Sequence, residues 1–225
     1  MNFLILIIEI IITFTLLFFC HKLFGKKGLI GWISVAAIIA NIEACKSATI
    51  LTFDISLGNV IFASIFLATD ILTELYGEKE AKDAINIAFF TLLAYIVSTQ
   101  FCLLYNPSAL DTVNNSMNNV LKLSLRVCLS SALMFYLANK LDIYVYNKLR
   151  KKYGNEKVWL RNNLSTILSN CLENFLFILA AFYGLYNFHD CMLIACGTSI
   201  IEIIIALLDT PYLYLTMKKA NLFKL

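Results

Sequence analysis

Seven apolar stretches divide this chain, and 15 of its 18 lysines and arginines cluster at alternate gaps between them or in the tail. Counted from Lys22, Lys79 and Lys140, three, two and seven basic residues lie at or beyond the ends of the first, third and fifth stretches. Three more follow the last stretch, and the gaps after the second, fourth and sixth hold none. Cytoplasmic loops carry the Lys/Arg excess of membrane proteins. The pattern therefore predicts a multi-pass protein of the cytoplasmic (inner) membrane, with its N-terminus outside and its C-terminus inside. The stretches run over about residues 2–23, 29–51, 57–76, 84–104, 120–141, 162–186 and 192–217.

The composition leaves room for one membrane domain and little else. Hydrophobic residues make up 60% of the 225 residues, more than an ordinary soluble domain carries. A spanning helix needs about 20 residues, so seven of them use about 140. We therefore expect an all-α integral membrane fold in which residues 1–225 form a single domain of seven transmembrane helices, with the lipid bilayer as its partner.

The sixth stretch carries a polar stripe that lipid would reject. Polar side chains recur at helical spacing on one face, and such a face must turn toward other helices or a cavity. Interhelical hydrogen bonding is one interpretation, and it suits the Ser and Thr members. A ligand site is the other, and we favour it for Glu173, which stands between amide side chains. The stripe comprises Asn162, Thr166, Ser169, Asn170, Glu173 and Asn174.

Four more ionisable residues fall inside the predicted helices. Glu43 and Glu202 are expected near the bilayer midplane, with Lys46 and Arg126 in the outer half. An intramembrane charge costs several kcal/mol, so each of these marks a candidate site. The two basic residues either pair with Glu43, Glu173 or Glu202 or contact a ligand directly, and the sequence leaves both interpretations open.

Asp70 and Glu74 lie four residues apart at the end of the third stretch, just before Gly77. They share a helix face, repel each other and sit at a C-terminus, where negative charge is unfavourable. Arg161 on the same predicted side of the membrane would neutralise such a pair. The alternatives are a structural ion-pair cluster and a proton or gate site, and Asp209 in the last stretch joins this group. Gly77 is expected to be the C′ cap of the helix.

Several signals of other functions are missing or weak. The chain has no P-loop motif, no H-E-x-x-H and no G-x-S-x-G. Its seven cysteines include no C-x-x-C and are expected to behave as small apolar residues. We therefore expect no enzyme activity, no cofactor and no metal. Ala36, Ala40 and Ala44 form a small-residue ridge that indicates close helix packing or, alternatively, docking to a partner membrane protein.

Three longer segments carry a resemblance to a known family. They are Phe66–Gly77 (FLATDILTELYG), Trp159–Asn170 (WLRNNLSTILSN) and Ala206–Tyr212 (ALLDTPY), supported by Ile39–Ile42 and Leu141–Val145. In order and spacing they resemble the queuosine precursor transporter family of the vitamin-uptake type. The resemblance implies import of 7-cyano- or 7-aminomethyl-7-deazaguanine, or of queuine, for tRNA modification. It also implies a six-helix core like the substrate-binding subunits of energy-coupling-factor transporters, with one extra N-terminal helix.

The chain departs from the family pattern at four polar positions. Glu43 and Asn170 stand where the family commonly has Gln, and Glu173 stands where it commonly has Asp. Glu202 stands where Lys is frequent, so the charge is reversed there. All four departures lie at predicted site residues.

A deazaguanine suits the polar groups that these segments supply. Its N1–H and exocyclic amine would donate to the carboxylate of Glu173, and Asn41, Asn170 and Asn174 would satisfy the remaining polar atoms. Glu43 or Glu202 would meet the ammonium of an aminomethyl base or queuine. The predicted partner is thus a small nucleobase rather than a nucleic acid. A different vitamin or purine, a separate ATPase module, a homo-oligomer and, less well supported, a membrane enzyme stay open.

Overall fold

The protein is a bundle of helices with one small β-hairpin. The computed structural model describes residues 1–50, 53–121, 125–154, 157–184 and 186–222. Short turns join most of the elements. In chain order these are α1 (Asn2–Glu43), β1 (Ser47–Ile50), β2 (Phe53–Ser56), α2 (Asn59–Leu75), α3 (Glu78–Leu104), α4 (Asn114–Leu121), α5 (Leu125–Tyr153), α6 (Val158–Phe182) and α7 (Phe188–Leu222).

The chain reverses direction within α1, at Gly25. This residue adopts φ 58° and ψ −139° inside an otherwise helical segment, a conformation that glycine reaches without a Cβ penalty. A Cβ placed on Gly28 would lie 2.7 Å from the carbonyl oxygen of Cys20, whereas residues eight apart in a straight helix are about 12 Å apart. The two halves of α1 thus form the first two predicted helices, packed against each other.

The second predicted helix ends earlier than expected. The sequence predicts a helix as far as residue 51, but α1 ends at Glu43 and the chain turns into β1 and β2, which pair antiparallel from Ser47↔Ser56 to Ile50↔Phe53. β-Branched residues such as Thr49 and Ile50 favour strand over helix. Glu43 is consequently at the end of a helix rather than near its middle.

The remaining helices match their predicted stretches within a few residues, apart from longer ends and the start of the fifth. There residues 120 and 121 belong to α4, and residues 122–124 lie outside the described part of the chain. α5 continues to Tyr153 and so includes the polar segment that follows the fifth stretch, and α3 begins six residues before the fourth stretch. α2 ends as predicted: Gly77 takes φ 98° and donates its N–H to the carbonyl of Leu72. The prediction of Gly77 as C′ cap is confirmed.

α2 lies at the centre of the bundle. It contacts α1, α3, α5, α6 and α7, and every residue from Ala63 to Thr73 is buried. With 17 residues it is about 26 Å long. Among the described residues, α1, α3, α6 and α7 are each long and apolar enough to cross a membrane, and α4 with α5 forms a fifth, bent candidate. With α1 folded back on itself, these helices indicate a multi-pass membrane protein.

Basic residues from separate parts of the sequence lie at one end of the bundle. We call the end with Ser47–Ser56 the hairpin end; there the side chain of Asn2 donates to the carbonyl of Thr49. We call the other the Gly77 end. There Lys26 pairs with Glu80 at 3.1 Å, and the ammonium of Lys140 donates to the carbonyl of Lys82 at 3.3 Å. Basic residues from three separate gaps of the sequence are thus gathered at one end.

The small-residue ridge on the second half of α1 packs inside the protein. Ala36 and Ala40 are buried, and a Cβ on Gly58 at the start of α2 would lie 2.8 Å from the carbonyl oxygen of Ala40. Ala44, one residue beyond the helix, is exposed. The close helix packing predicted from the ridge is what the structure contains, so the ridge gives no support to a partner-docking surface.

Candidate functional site

Four polar residues of α6 recur at every fourth position and form a ladder along one side of the helix. They are Asn162, Thr166, Asn170 and Asn174, and all four are buried. Residues four apart are neighbours on a helix surface. The ladder extends from the Gly77 end toward the hairpin end over about 18 Å, so it links the two halves of the bundle.

The two members of the ladder nearest the Gly77 end donate hydrogen bonds to carboxylates on neighbouring helices. Asn162 donates its amide to Asp209 of α7 at 2.7 Å, and Thr166 donates its hydroxyl to Asp142 of α5 at 3.3 Å. Both carboxylates are buried. These contacts are the interhelical hydrogen bonds expected for a Thr in the stripe, and they fix α6 between α5 and α7.

The two members of the ladder nearer the hairpin end differ from each other in their hydrogen bonding. Asn174 donates to Glu202 of α7 at 2.6 Å and to Ser199 at 3.3 Å. Asn170, 1% exposed, has neither a donor nor an acceptor within reach of its amide among the described residues. An unsatisfied buried amide costs about 1–3 kcal/mol for each group left unpaired, and native proteins rarely carry one without a reason.

Glu173 completes a group of four polar residues around the unsatisfied amide. It follows Asn170 by three residues, so the two side chains are neighbours on α6. Its carboxyl is half-buried and close enough to Glu202 for their charges to interact. In the described part of the chain neither glutamate has an ion-pair partner. We call Asn170, Glu173, Asn174 and Glu202 the α6–α7 cluster.

Three predicted site residues lie apart from this cluster, on α1 and just after it. Asn41 accepts a hydrogen bond from Ser131 of α5 at 3.0 Å and donates to the carbonyl of Ala37. Glu43 is half-buried at the end of α1, and its charge interacts with that of Glu9. Lys46 is exposed beside the hairpin. The contacts of the described residues do not connect these three to the α6–α7 cluster.

Arg126 does not pair with the glutamates that the sequence offered. Its guanidinium donates to the carbonyl oxygens of Ala180 at 2.7 Å and Tyr183 at 2.9 Å, at the C-terminus of α6. The last carbonyls of a helix lack partners within it, and a cation there also offsets the helix dipole. Arg126 therefore caps α6.

A buried ion pair joins α2 to α6 at the Gly77 end. Arg161, 1% exposed, lies 2.7 Å from a carboxylate oxygen of Glu74, which also accepts a hydrogen bond from the hydroxyl of Tyr146 at 3.0 Å. The guanidinium also bonds to the carbonyl of Gly154 and stands over the Tyr146 ring. Arg150 reaches the carbonyl of Thr73 at 2.9 Å. Glu74 thus belongs to the structural ion-pair cluster that was one of the two interpretations.

Asp70 has a different environment from Glu74, although the two are one turn apart. It is 1% exposed, and its carboxyl lies within hydrogen-bonding reach of that of Asp142, with Asp209 also nearby. The sequence did not single out Asp142, because the fifth apolar stretch ends at Leu141. The polar spacing Asn139, Asp142 and Tyr146, which continues one helix face, is the signal that would have revealed it.

Two cavities of the described structure lie away from the α6–α7 cluster. One cavity of about 510 Å³ is lined by residues between Cys102 and Leu121, and a smaller one lies near Met1 and Thr49. Neither touches a residue of the cluster. Among the described residues no three His, Cys, Asp or Glu side chains are arranged to hold a metal ion.

Comparison with known proteins identifies the family of this chain. Residues 56–216 match the family described as "putative vitamin uptake transporter". The chain is 35% identical over 209 residues to the "probable queuosine precursor transporter" of Bacillus subtilis, an alignment that covers 92% of this chain and 91% of the relative. It is 26% identical over 146 residues to the Haemophilus influenzae protein of the same name, covering 65% of this chain and 60% of that protein.

A third relative is the "queuosine precursor transporter" of Escherichia coli, 27% identical over 139 residues, which are 60% of this chain and 58% of that protein. No solved structure matches the chain. The family consists of transporters rather than enzymes, in line with the expectation from the missing catalytic motifs. The chain is a multi-pass membrane protein that belongs to the vitamin uptake transporter family.

Proposed function

We propose that this protein imports queuosine precursors across the cytoplasmic membrane and that the α6–α7 cluster binds them. The substrates would be 7-cyano- or 7-aminomethyl-7-deazaguanine, or queuine, destined for tRNA modification. The names of the three relatives support the substrate class. The observation that carries the assignment of the site is Asn170, whose amide is buried and unsatisfied within the described chain.

The chemistry of the cluster fits a guanine-like edge. A carboxylate accepts two parallel N–H groups as a bidentate pair, which is what N1–H and the exocyclic amine offer to Glu173. The amide of Asn170, next to it on α6, can donate to O6. Binding the base would thus satisfy the amide of Asn170, which is left unpaired without it among the described residues.

The charge of the cluster favours a cationic substrate. Glu173 and Glu202 interact electrostatically and have no basic partner among the residues described, and Asn174 already donates to Glu202. An ammonium group on the 7-aminomethyl base or on queuine would supply the missing positive charge. A 7-cyano base has none, so we infer that it is bound more weakly.

We also propose the orientation and organisation of the protein. The Gly77 end, which gathers the basic residues, would face the cytoplasm, so that both the N-terminus and the hairpin lie outside. The six-helix core expected from the resemblance would comprise the second half of α1 together with α2, α3, α5, α6 and α7, in a single domain. This arrangement is compatible with a homo-oligomer and with a separate energy-coupling partner.

Uptake by cells that cannot make the base tests this function. Radiolabelled queuine and both precursors are offered to cells that express the full chain, with unlabelled guanine and adenine as competitors. We expect deazaguanine accumulation that neither purine abolishes. Glu173→Gln should lower it about tenfold or more, because charge-assisted hydrogen bonds contribute about 1.5–3 kcal/mol. The matched control is Asp190→Asn, which removes an exposed carboxylate of α7 and should leave uptake unchanged.

Two results would contradict the proposal. Normal uptake by Glu173→Gln at equal expression would remove Glu173 from the site, and full competition by adenine would point to a general purine transporter. Glu202→Lys tests the charge argument separately: the ratio of aminomethyl to cyano base taken up should fall, and an unchanged ratio would exclude Glu202 as the partner of the ammonium group.

A further inference from the structure

The three buried aspartates near the Gly77 end form a second group, separate from the α6–α7 cluster. Asp70, Asp142 and Asp209 come from α2, α5 and α7 and are 1%, 0% and 1% exposed. Neutral donors reach two of them: Thr166 donates to Asp142, and Asn162 donates to Asp209. Yet both oxygens of Asp70 and one oxygen each of Asp142 and Asp209 have no hydrogen-bond donor among the described residues.

No basic group offsets these carboxyls in the described part of the chain. The buried cation nearest in the fold, Arg161, is held by Glu74, the carbonyl of Gly154 and the ring of Tyr146. The ionisable groups that interact with Asp70 are Asp142 on α5, Asp209 on α7 and Glu74 on α2, together with Tyr146 on α5. Among the described residues, α1 and α3 bring no charged side chain to it. Asp70 therefore faces acids and a phenol.

Asp70 and Asp142 are in direct contact, and that contact requires a proton. Their carboxyls lie within hydrogen-bonding reach, but two carboxylates can only accept. Two buried like charges at such a distance cannot both be ionised, so one carboxyl is protonated and donates to the other.

Further unsatisfied groups border the pair. The hydroxyl of Thr73 and the amide oxygen of Asn139 are fully buried and have no partner among the described residues. Each lies three residues from one of the aspartates, on the same face of α2 or α5. The Thr73 hydroxyl and the Asn139 amide oxygen can each accept a hydrogen bond from a water molecule, and such a water can carry a proton away from the pair.

The pair is linked to the substrate cluster through α6. Thr166 donates to Asp142, and Asn170 follows it by one turn, about 6 Å along the helix. A shift of α6 that lets Asn170 meet a substrate changes the Thr166–Asp142 bond as well. The Thr166–Asp142 bond is thus a physical route by which occupation of the cluster can be coupled to protonation of the pair, and such coupling is reciprocal.

We propose that Asp70 and Asp142 share one proton and that this proton accompanies each substrate molecule into the cell. The inference rests on the proposed function for its substrate. The pair takes the proton from the outside face and holds it as the carboxyl hydrogen between the two aspartates while they are shut off from water. It releases the proton at the Gly77 end when the substrate leaves and water reaching that end hydrates both carboxylates. No bond other than this O–H forms or breaks.

Infrared spectroscopy of the purified full-length protein tests the shared proton without any substrate. At neutral pH the carbonyl stretch of a protonated carboxyl should be lost in Asp70→Asn and equally in Asp142→Asn, because either amide can donate to the remaining carboxylate. Asp111→Asn, in an exposed loop, should leave the spectrum unchanged. Loss of the band in both variants supports the shared proton, and its persistence in both overturns it.

Proteoliposomes test the coupling. With the membrane potential clamped at zero and the outside one pH unit more acidic, one proton per substrate gives about tenfold accumulation of labelled queuine. Asp70→Asn and Asp142→Asn should reduce this ratio to about one while keeping the substrate Kd, whereas Glu173→Gln should lose binding itself. Accumulation driven by a sodium gradient, or unaffected by the pH gradient, overturns the inference. A wild-type protein that neither binds nor takes up any deazaguanine refutes the proposed function, and the infrared result still decides the shared proton.

Discussion

Removal of the negative charge on Glu74 should destabilise the protein far more than removal of an exposed glutamate. The side chains of Arg161 and Glu74 are 1% and 5% exposed and lie 2.7 Å apart. In Glu74→Gln the guanidinium stays buried without a counterion. Breaking a buried pair in this way typically costs about 3–5 kcal/mol.

For Glu74→Gln we expect a loss of unfolding free energy at the lower end of that range. The guanidinium of Arg161 keeps its bond to the carbonyl of Gly154 and its position over the Tyr146 ring, and the glutamine oxygen can still accept from the Tyr146 hydroxyl. We therefore expect a loss of about 3 kcal/mol. For a chain of this size that corresponds to a Tm lower by about 6–12 °C.

Thermal unfolding in detergent, followed by the loss of the monodisperse peak on size exclusion, measures this shift. The matched control is Glu80→Gln, since Glu80 pairs with Lys26 at 3.1 Å but the two side chains are 33% and 40% exposed. An exposed pair contributes about 0–1 kcal/mol, so its Tm should change by about 4 °C at most.

A double variant separates the pair from other effects of the substitution. Glu74→Leu combined with Arg161→Met removes both charges and leaves apolar side chains, and such replacements are often neutral or stabilising. It should be more stable than Glu74→Leu alone. Equal Tm losses for Glu74→Gln and Glu80→Gln, or a double variant that is the least stable of all, would refute the reasoning.

Two further predictions concern contacts with the backbone. Gly58→Ala should lower the free energy of unfolding by about 1–3 kcal/mol, because φ is 94° there and the new Cβ would lie 2.8 Å from the carbonyl oxygen of Ala40. The control is Gly31→Ala, whose new Cβ would meet no atom of another part of the described chain within 4 Å; it should be neutral or stabilising in the same unfolding assay. Arg126→Gln should lower Tm by removing two bonds to the C-terminus of α6, worth about 1 kcal/mol together at this exposed position, while leaving the Kd for labelled queuine unchanged. A weaker Kd at unchanged Tm would instead make Arg126 a substrate contact.

Much of the helical architecture could be predicted because apolar length and basic gaps are local properties of the chain. Gly77 was predictable too, since glycine is the residue that the left-handed C′ position favours. The early end of the second helix, at Glu43, could not be predicted, because Thr49 and Ile50 are as apolar on average as a membrane helix requires. Their preference for a strand becomes decisive only when the hairpin can pack beside α1 and α7.

The candidate site was predictable in part. The polar stripe of α6 follows from helical spacing, and the structure keeps Asn170, Glu173, Asn174 and Glu202 together. Which members are already satisfied could not be predicted, because their partners lie on α5 and α7, far away in the sequence. For the same reason the sequence suggested a glutamate as the partner of Arg126, whereas in the folded chain its guanidinium donates to backbone carbonyl oxygens.

The central position of α2 has a consequence for how the protein enters the membrane. This helix is about 26 Å long, shorter than the usual bilayer core, and it carries Asp70 and Glu74. An acidic residue near a helix centre opposes insertion by about 2.5–3.5 kcal/mol. Asp70 is the nearer of the two to the centre of α2, and Glu74, next to its last residue, costs less. α2 is thus a poor substrate for the translocon by itself, and its stable placement during biosynthesis depends on later helices, in particular α6, which brings Arg161 as the counterion of Glu74.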